Sequence, residues 1–252
     1  HLVPGYDFVD DDNDPNEVGN ITVGPYGHGT HVAGLIAAVA PDAKIMPVRV
    51  LDQNGVGNIW VLAEAIAFAA DPDGNPDTPD GAQVINLSIA TQRRTQMVKD
   101  IIKIECAEPA VPVARASAFG AGIVVVSAAG NGGSDVPEYP AAENGVNELL
   151  PVAASGVDDR LSSFSTFGSW VPVMAPGDRI VSSVPHNHYA VWRGTSMSAP
   201  IVAGQAALIR AVFPTLTAKR VIRQIEDTAQ SVPGEVRGRV DIFRAITTTP
   251  AP

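Results

Sequence analysis

Short apolar runs rich in β-branched residues punctuate this chain at Tyr6–Val9, Ile45–Val50, Val84–Leu87, Ile123–Ser127, Leu150–Ala153 and Val171–Met174. Runs so continuously apolar suit strands buried on both faces, the condition of a parallel sheet covered by helices. Between and beyond them, Thr30–Val39, Ile59–Ala70, Thr95–Glu105, Ala199–Phe213 and Ala218–Asp227 read as helices. Strand and helix alternating in this way predict a doubly wound α/β fold. Asp71–Gly81, dense in Asp, Pro, Gly and Asn, reads as a surface turn region. No repeat or linker divides residues 1–246, which are taken as one domain, and the Thr/Pro tail of residues 247–252 reads as the start of a linker or a frayed terminus.

Charge and cysteine content narrow the function classes. With 27 acidic against 17 basic residues the net charge is −10, which argues against nucleic acid or an anionic membrane as partner. No apolar stretch reaches the length of a transmembrane helix. The single cysteine, Cys106, excludes an internal disulfide and a cysteine-based metal site. The chain opens on His1 with no signal peptide, so a removed start or a fragment is expected.

Three stretches carry chemistry. Gly194-Thr195-Ser196-Met197-Ser198-Ala199-Pro200 precedes a small-residue helical run. A serine at a helix N-terminus has an unpaired backbone N–H and the positive end of the dipole beside it, both favourable to an anion forming next to its hydroxyl. A plain serine N-cap is the bland alternative, but Gly194 permits close approach, and Pro200 is expected in the first turn, where its missing N–H costs nothing. Gly27-His28-Gly29-Thr30-His31 sets an imidazole at the mouth of a helix between glycines that leave room for a substrate. His28 and His31 make a weak metal pair without a third ligand, whereas a neutral imidazole suits a general base for serine. Val124–Gly132 is a buried strand ending in small residues and Asn131, read either as a turn residue or as an amide donor to a developing oxyanion.

In the order His, Asn, Ser, these stretches resemble the subtilase family of serine peptidases, with thermitase-like bacterial members as the nearest type. The resemblance runs from about Tyr6 to Ala245. It implies a three-layer α/β/α domain with a mainly parallel central sheet, and a serine endopeptidase acting on polypeptides through an acyl-enzyme. His28 matches the family's general base, Asn131 its oxyanion donor, Ser196 its nucleophile and His31 the second histidine of the motif. Asn86–Ile89 resembles the strand that pairs with substrate backbone, which makes Ser88, Ile89 and Ala90 candidates for substrate binding. Ala128, Ala129 and Gly130 resemble the facing wall of the primary pocket. Ala90 and Thr91 depart from the family, which usually has Gly there. Tyr139-Pro140 resembles the anchor of the loop closing the pocket base, which puts Glu138 at the position that points inward in many members; the alternative turns Glu138 out to water. By the same resemblance a propeptide, secretion and a monomer are expected.

The pattern fails at one point. Family members run Asp, His, Ser along the chain, with the aspartate in an Asp-Thr-Gly or Asp-Ser-Gly turn, and no such turn precedes His28. The expectation is that the aspartate and its strand lay upstream of residue 1. Their loss would expose two neighbouring strand edges and leave this segment unstable and impaired. A non-catalytic binding or scaffold protein on the same fold is the second reading, and the acid-acting sedolisin relatives are a third that fits the histidine motif poorly. The acidic loop after Tyr6 offers Asp7, Asp10, Asp12, Asp14 and Asn16 as hard oxygen ligands, which suits structural Ca²⁺. The corresponding loop binds calcium in thermitase-like members; a solvated acidic turn is the alternative.

Overall fold

The computed structural model describes residues 1–20, 24–75, 77–107, 121–232, 236 and 238–251. Strand β4 (Val124–Ala128) shows why the central strands carry no polar alternation. Val124, Val126 and Ala128 enter one core cluster, and Val125 enters another on the opposite face. Strands β3 (Val84–Leu87), β5 (Leu149–Ser155) and β6 (Val173–Pro176) extend this sheet in the order β3-β4-β5-β6, all parallel. The short β10 (Gly238–Arg239) adds in parallel to β6, and β9 (Gln230–Ser231) pairs antiparallel beyond it.

Helices cover both faces. α4 (Thr195–Val212), α5 (Ala218–Thr228) and α6 (Ile242–Thr247) bury Ala199, Ile209, Val221, Ile225 and Ala245 against one side. α2 (Ile59–Ala70) and α3 (Gln96–Glu105) bury Ile66, Val98 and Ile102 against the other, giving three layers. α1 (His28–Val39) lies along α4, and the two helices approach so closely that a Cβ on Gly204 would sit 2.7 Å from the Val39 Cβ. The α6 end is tied down: Gln224 Nε2 donates to the Thr248 carbonyl at 2.8 Å, and Arg220 bonds the Ala251 carbonyl. Pro252 lies outside the described residues.

The sheet is in two pieces. β1 (Tyr6–Asp7) and β2 (Val48–Arg49) form a separate parallel pair. Between β2 and β3 opens a cleft of about 1930 Å³ lined by Val48, Val84 and Leu87 from the strands and by Ile66 and Ala203 from the helices above and below. Among the described residues, the β2 and β3 edges that face this cleft pair with no strand.

Several boundaries differ from the sequence expectation, each for a physical reason. β1 is two residues long because the Asp7 carboxylate turns back to accept the amides of Val9 (2.7 Å) and Asp10 (3.0 Å). β2 is clipped because only one of its edges has a partner. α4 begins at Thr195, four residues before the expected start, so Pro200 lies inside the helix and not in its first turn. A proline there withholds the N–H that would bond the carbonyl four residues back. That carbonyl belongs to Ser196, and the Ser88 hydroxyl donates to it at 2.9 Å instead. The antiparallel hairpin β7 (Ile180–Val184) and β8 (His188–Trp192), α6, β9 and β10 are additions to the expected element order.

Candidate active site

The loop leaving β8 delivers Ser196 to the second position of α4, where an amide has no carbonyl partner within the helix. The preceding residue holds the next group in place. The Thr195 amide donates to Asn131 Oδ1 at 2.9 Å, and the Thr195 hydroxyl contacts the same oxygen at 3.2 Å. A backbone N–H can only donate, so the contact identifies the oxygen end of the carboxamide, and among the described residues the Asn131 NH₂ makes no hydrogen bond. Asn131 and Ser196 line one pocket of about 400 Å³.

The segment that follows β3 supplies one wall of that pocket through Ser88, Ile89 and Ala90, and the end of β4 supplies the facing wall at Ala128. Thr91 and Tyr139 exchange backbone hydrogen bonds of 2.9 and 2.8 Å, which clamps the loop carrying Glu138 to the end of the first wall. The Tyr139–Pro140 peptide bond is cis. Glu138 lies half-buried in the pocket lining with its carboxylate against Gly130, whose φ of +111° no residue with a side chain readily adopts. A Cβ on Gly130 would come within 2.2 Å of the Glu138 carboxyl carbon. Ala129 is fully buried and packs away from the pocket with Val171 and Met174.

His28 heads α1 and opens on the larger cleft between β2 and β3, not on the pocket of Ser196. Its ring lies 6.0 Å from that of Trp192, which stacks at 5.0 Å on His31. Ser196 Oγ donates to the Ser88 carbonyl at 3.2 Å, and among the described residues no hydrogen bond joins it to His28. Among the described residues no carboxylate hydrogen-bonds the His28 ring either. Burial lowers the His28 pKa below that of an ordinary histidine; the negative charge of Glu17 opposes this and His31 adds to it. Burial likewise depresses His31, against backbone hydrogen bonds to Ala190 and Ile180.

Glu17 and Trp192 escaped the sequence reading. Glu17 accepts from the Thr30 amide at 2.7 Å and the Thr30 hydroxyl at 2.8 Å, and from the Gly27 amide, so a carboxylate closes the positive end of α1. An acidic residue upstream of a helix start was the available signal, but a spacing of 13 residues from Thr30 hid it.

The acidic loop is partly neutralised from within. Arg49 bridges Asp7 and Asp10, and Asp7 is also held by two backbone amides. Asp12 Oδ1 accepts the Asp14 amide at 2.8 Å, and Asp14 Oδ1 accepts the Asn16 carboxamide at 2.5 Å, while among the described residues the second oxygen of each carboxylate has no hydrogen bond. The donors are therefore right in kind for Ca²⁺ but are not gathered into a cage. Among the described residues the three acidic side chains that bring ligand oxygens within 4.8 Å of one another are Asp71, Asp73 and Asp80, in the turn region after α2. No helix among the described residues is long and apolar enough to cross a membrane.

A three-layer α/β/α sheet with a serine at a helix N-terminus, an anchored asparagine at a neighbouring strand end and a histidine heading a third element defines the class of the subtilisin-like fold. The comparisons agree: the Subtilase family model matches residues 3–243, and the chain belongs to that family. It is 39% identical over 263 residues to the thermophilic serine proteinase of Bacillus sp. (strain AK1), covering 98% of this chain and 57% of that protein. It is 37% identical over 259 residues to thermitase of Thermoactinomyces vulgaris, covering 97% of this chain and 81% of thermitase. Among solved structures, a protease of Pseudoalteromonas arctica superposes with a TM-score of 0.77 at 30% identity, covering 97% of this chain and 83% of that one. A cold-adapted subtilisin-like serine proteinase superposes with a TM-score of 0.72 at 30% identity, covering 95% and 79%.

Proposed function

We propose that this chain is the peptidase domain of a secreted serine endopeptidase, with Ser196 as nucleophile, His28 as general base and Asn131 as oxyanion donor. The observation that carries the reading is the Thr195 hydrogen bond to Asn131 Oδ1. It orients the carboxamide of a residue that lines the same pocket as Ser196, at the start of α4. Donors held in place before charge develops are the largest stabiliser of a tetrahedral oxyanion. In this mechanism Ser196 Oγ leaves the Ser88 carbonyl, gives its proton to His28 and attacks the substrate carbonyl. His28 then protonates the leaving amine, and a water repeats the sequence to free the acyl group. Polypeptides are the substrates, with Ser88–Ala90 pairing to their backbone. A propeptide as folding partner and a monomeric state follow from the family likeness alone.

The Ser196 hydroxyl bonded to the Ser88 carbonyl, with no hydrogen bond to His28 among the described residues, favours a second reading, a non-catalytic binding protein on the same fold. A fluorophosphonate probe separates the two. The peptidase reading expects a single adduct on Ser196, located by peptide mass mapping, which His28→Ala slows and Asn131→Ala slows by about 10²–10³-fold. An adduct that survives Ser196→Ala, or none on the folded protein, overturns it. For the loop of residues 7–16 we further propose Ca²⁺ as ligand, since the uncommitted oxygens of Asp12 and Asp14 are exposed and free to turn inward.

A further inference from the structure

Glu138 is held at one of its two oxygens only. Oε1 accepts from the Thr166 hydroxyl at 2.6 Å and from the Gly132 amide at 3.2 Å, and these fix the direction of the carboxylate. Among the described residues Oε2 has no hydrogen bond and no ion pair. The arginines that approach the region are engaged elsewhere: Arg94 pairs with Glu143 at 3.1 Å, and Arg193 lies over the Phe164 ring at 5.7 Å. The pocket lining includes no basic side chain; it offers Ile89, Ala90 and Ala128 as apolar walls, with Glu138 among them.

An oriented carboxylate with a vacant oxygen, in a pocket where Ile89, Ala90 and Ala128 offer apolar surface and Ser196 lies alongside, matches one kind of side chain. A lysine or arginine lays its methylene stem along apolar surface and carries its cation to the end. A charge-assisted hydrogen bond to Oε2 is then the strong kind. A phenylalanine would fill the walls but leave a half-buried carboxylate without a counter-charge, which is costly. We propose that this pocket selects a basic side chain on the acyl side of the scissile bond, with Glu138 as the residue that sets the preference. The inference deepens the peptidase reading, although the recognition step itself is a binding event that requires no turnover.

Fluorescence titration with p-aminobenzamidine, an aryl cation too short to need the rest of a peptide, tests the pocket directly. Saturable binding is expected in the wild type, weakened at least about tenfold in Glu138→Gln. Far-UV circular dichroism checks the fold of each variant, and Glu138→Asp, which keeps the charge, should recover part of the affinity. Binding that is absent in the wild type, or unchanged in Glu138→Gln, overturns the proposal. Matched peptides ending in Arg or Phe before the cleaved bond separate the two claims. Equal cleavage of both, indifferent to Glu138→Gln, removes the preference and leaves the peptidase standing. Glu138-dependent benzamidine binding with no cleavage of either does the reverse.

Discussion

The direction of one carboxamide rests on the Thr195 amide, and the charge state of one imidazole rests on burial. Burial pushes the His28 pKa below the ordinary histidine value, and the negative charge of Glu17 only offsets this. A neutral base is what proton abstraction from serine requires, so the acid limb of kcat/KM is expected below the ordinary histidine pKa of about 6.5. The same depression has a stability consequence of definite sign. Between the lowered native pKa values of His28 and His31 and about 6.5, the unfolded chain binds more protons, so stability falls as pH is lowered through that window. A pH series of thermal melts should show this slope and show it reduced in His28→Asn; an acid limb centred above 6.5 would contradict the assignment. At this scale the sequence pointed to His28, Asn131 and Ser196 because each sits in a crowded local pattern. Glu17 and Trp192 were not, since their roles arise from contacts made across the fold. The thiol of Cys106 belongs with the core: it is fully buried and its pKa is pushed up to about 12 by burial.

Elements with clear turn residues at both ends were the easiest to read. β3 and α2 match their expected spans because apolar content and turn residues bound them in the sequence itself. The hairpin of β7 and β8 was missed because its exposed Val181, Tyr189 and Val191 dilute the apolar signal, and its turn uses His186 and Asn187 at positive φ rather than glycine. The start of α4 was misplaced because Pro200 looks like a first-turn proline until Ser88 is seen to satisfy the carbonyl that the proline frees. The acidic loop stands between these cases: its composition was plain, but the pairing of Asp7 and Asp10 with Arg49 depends on β2 lying alongside. If the loop takes Ca²⁺, a hundredfold excess over Kd should stabilise the protein by about 2.7 kcal/mol. The rise in Tm should disappear in the double variant Asp12→Asn, Asp14→Asn. A Tm indifferent to millimolar calcium would remove the site.

For the molecule as a whole, the parallel three-layer plan was legible from strand and helix alternation, while the division of the sheet was reached only through family likeness. Nothing in Val48 or Val84 by itself says that their edges face a cleft rather than each other. The division has a consequence for how the native state breathes. β4 and β5 have partners on both sides, whereas β2 and β3 each hold one. Local opening is cheapest where hydrogen bonds are few and solvent lies alongside. Deuterium uptake should therefore run fast through residues 45–51, intermediate in 84–87 and slow in 124–128 and 149–155. Protection of 45–51 equal to that of β4 would show the cleft closed in solution. With the expected gradient, β1 and β2 behave as a separate foldon docked through Tyr6 and Phe8 on Phe68 of α2, able to detach while the six-stranded core keeps its protons.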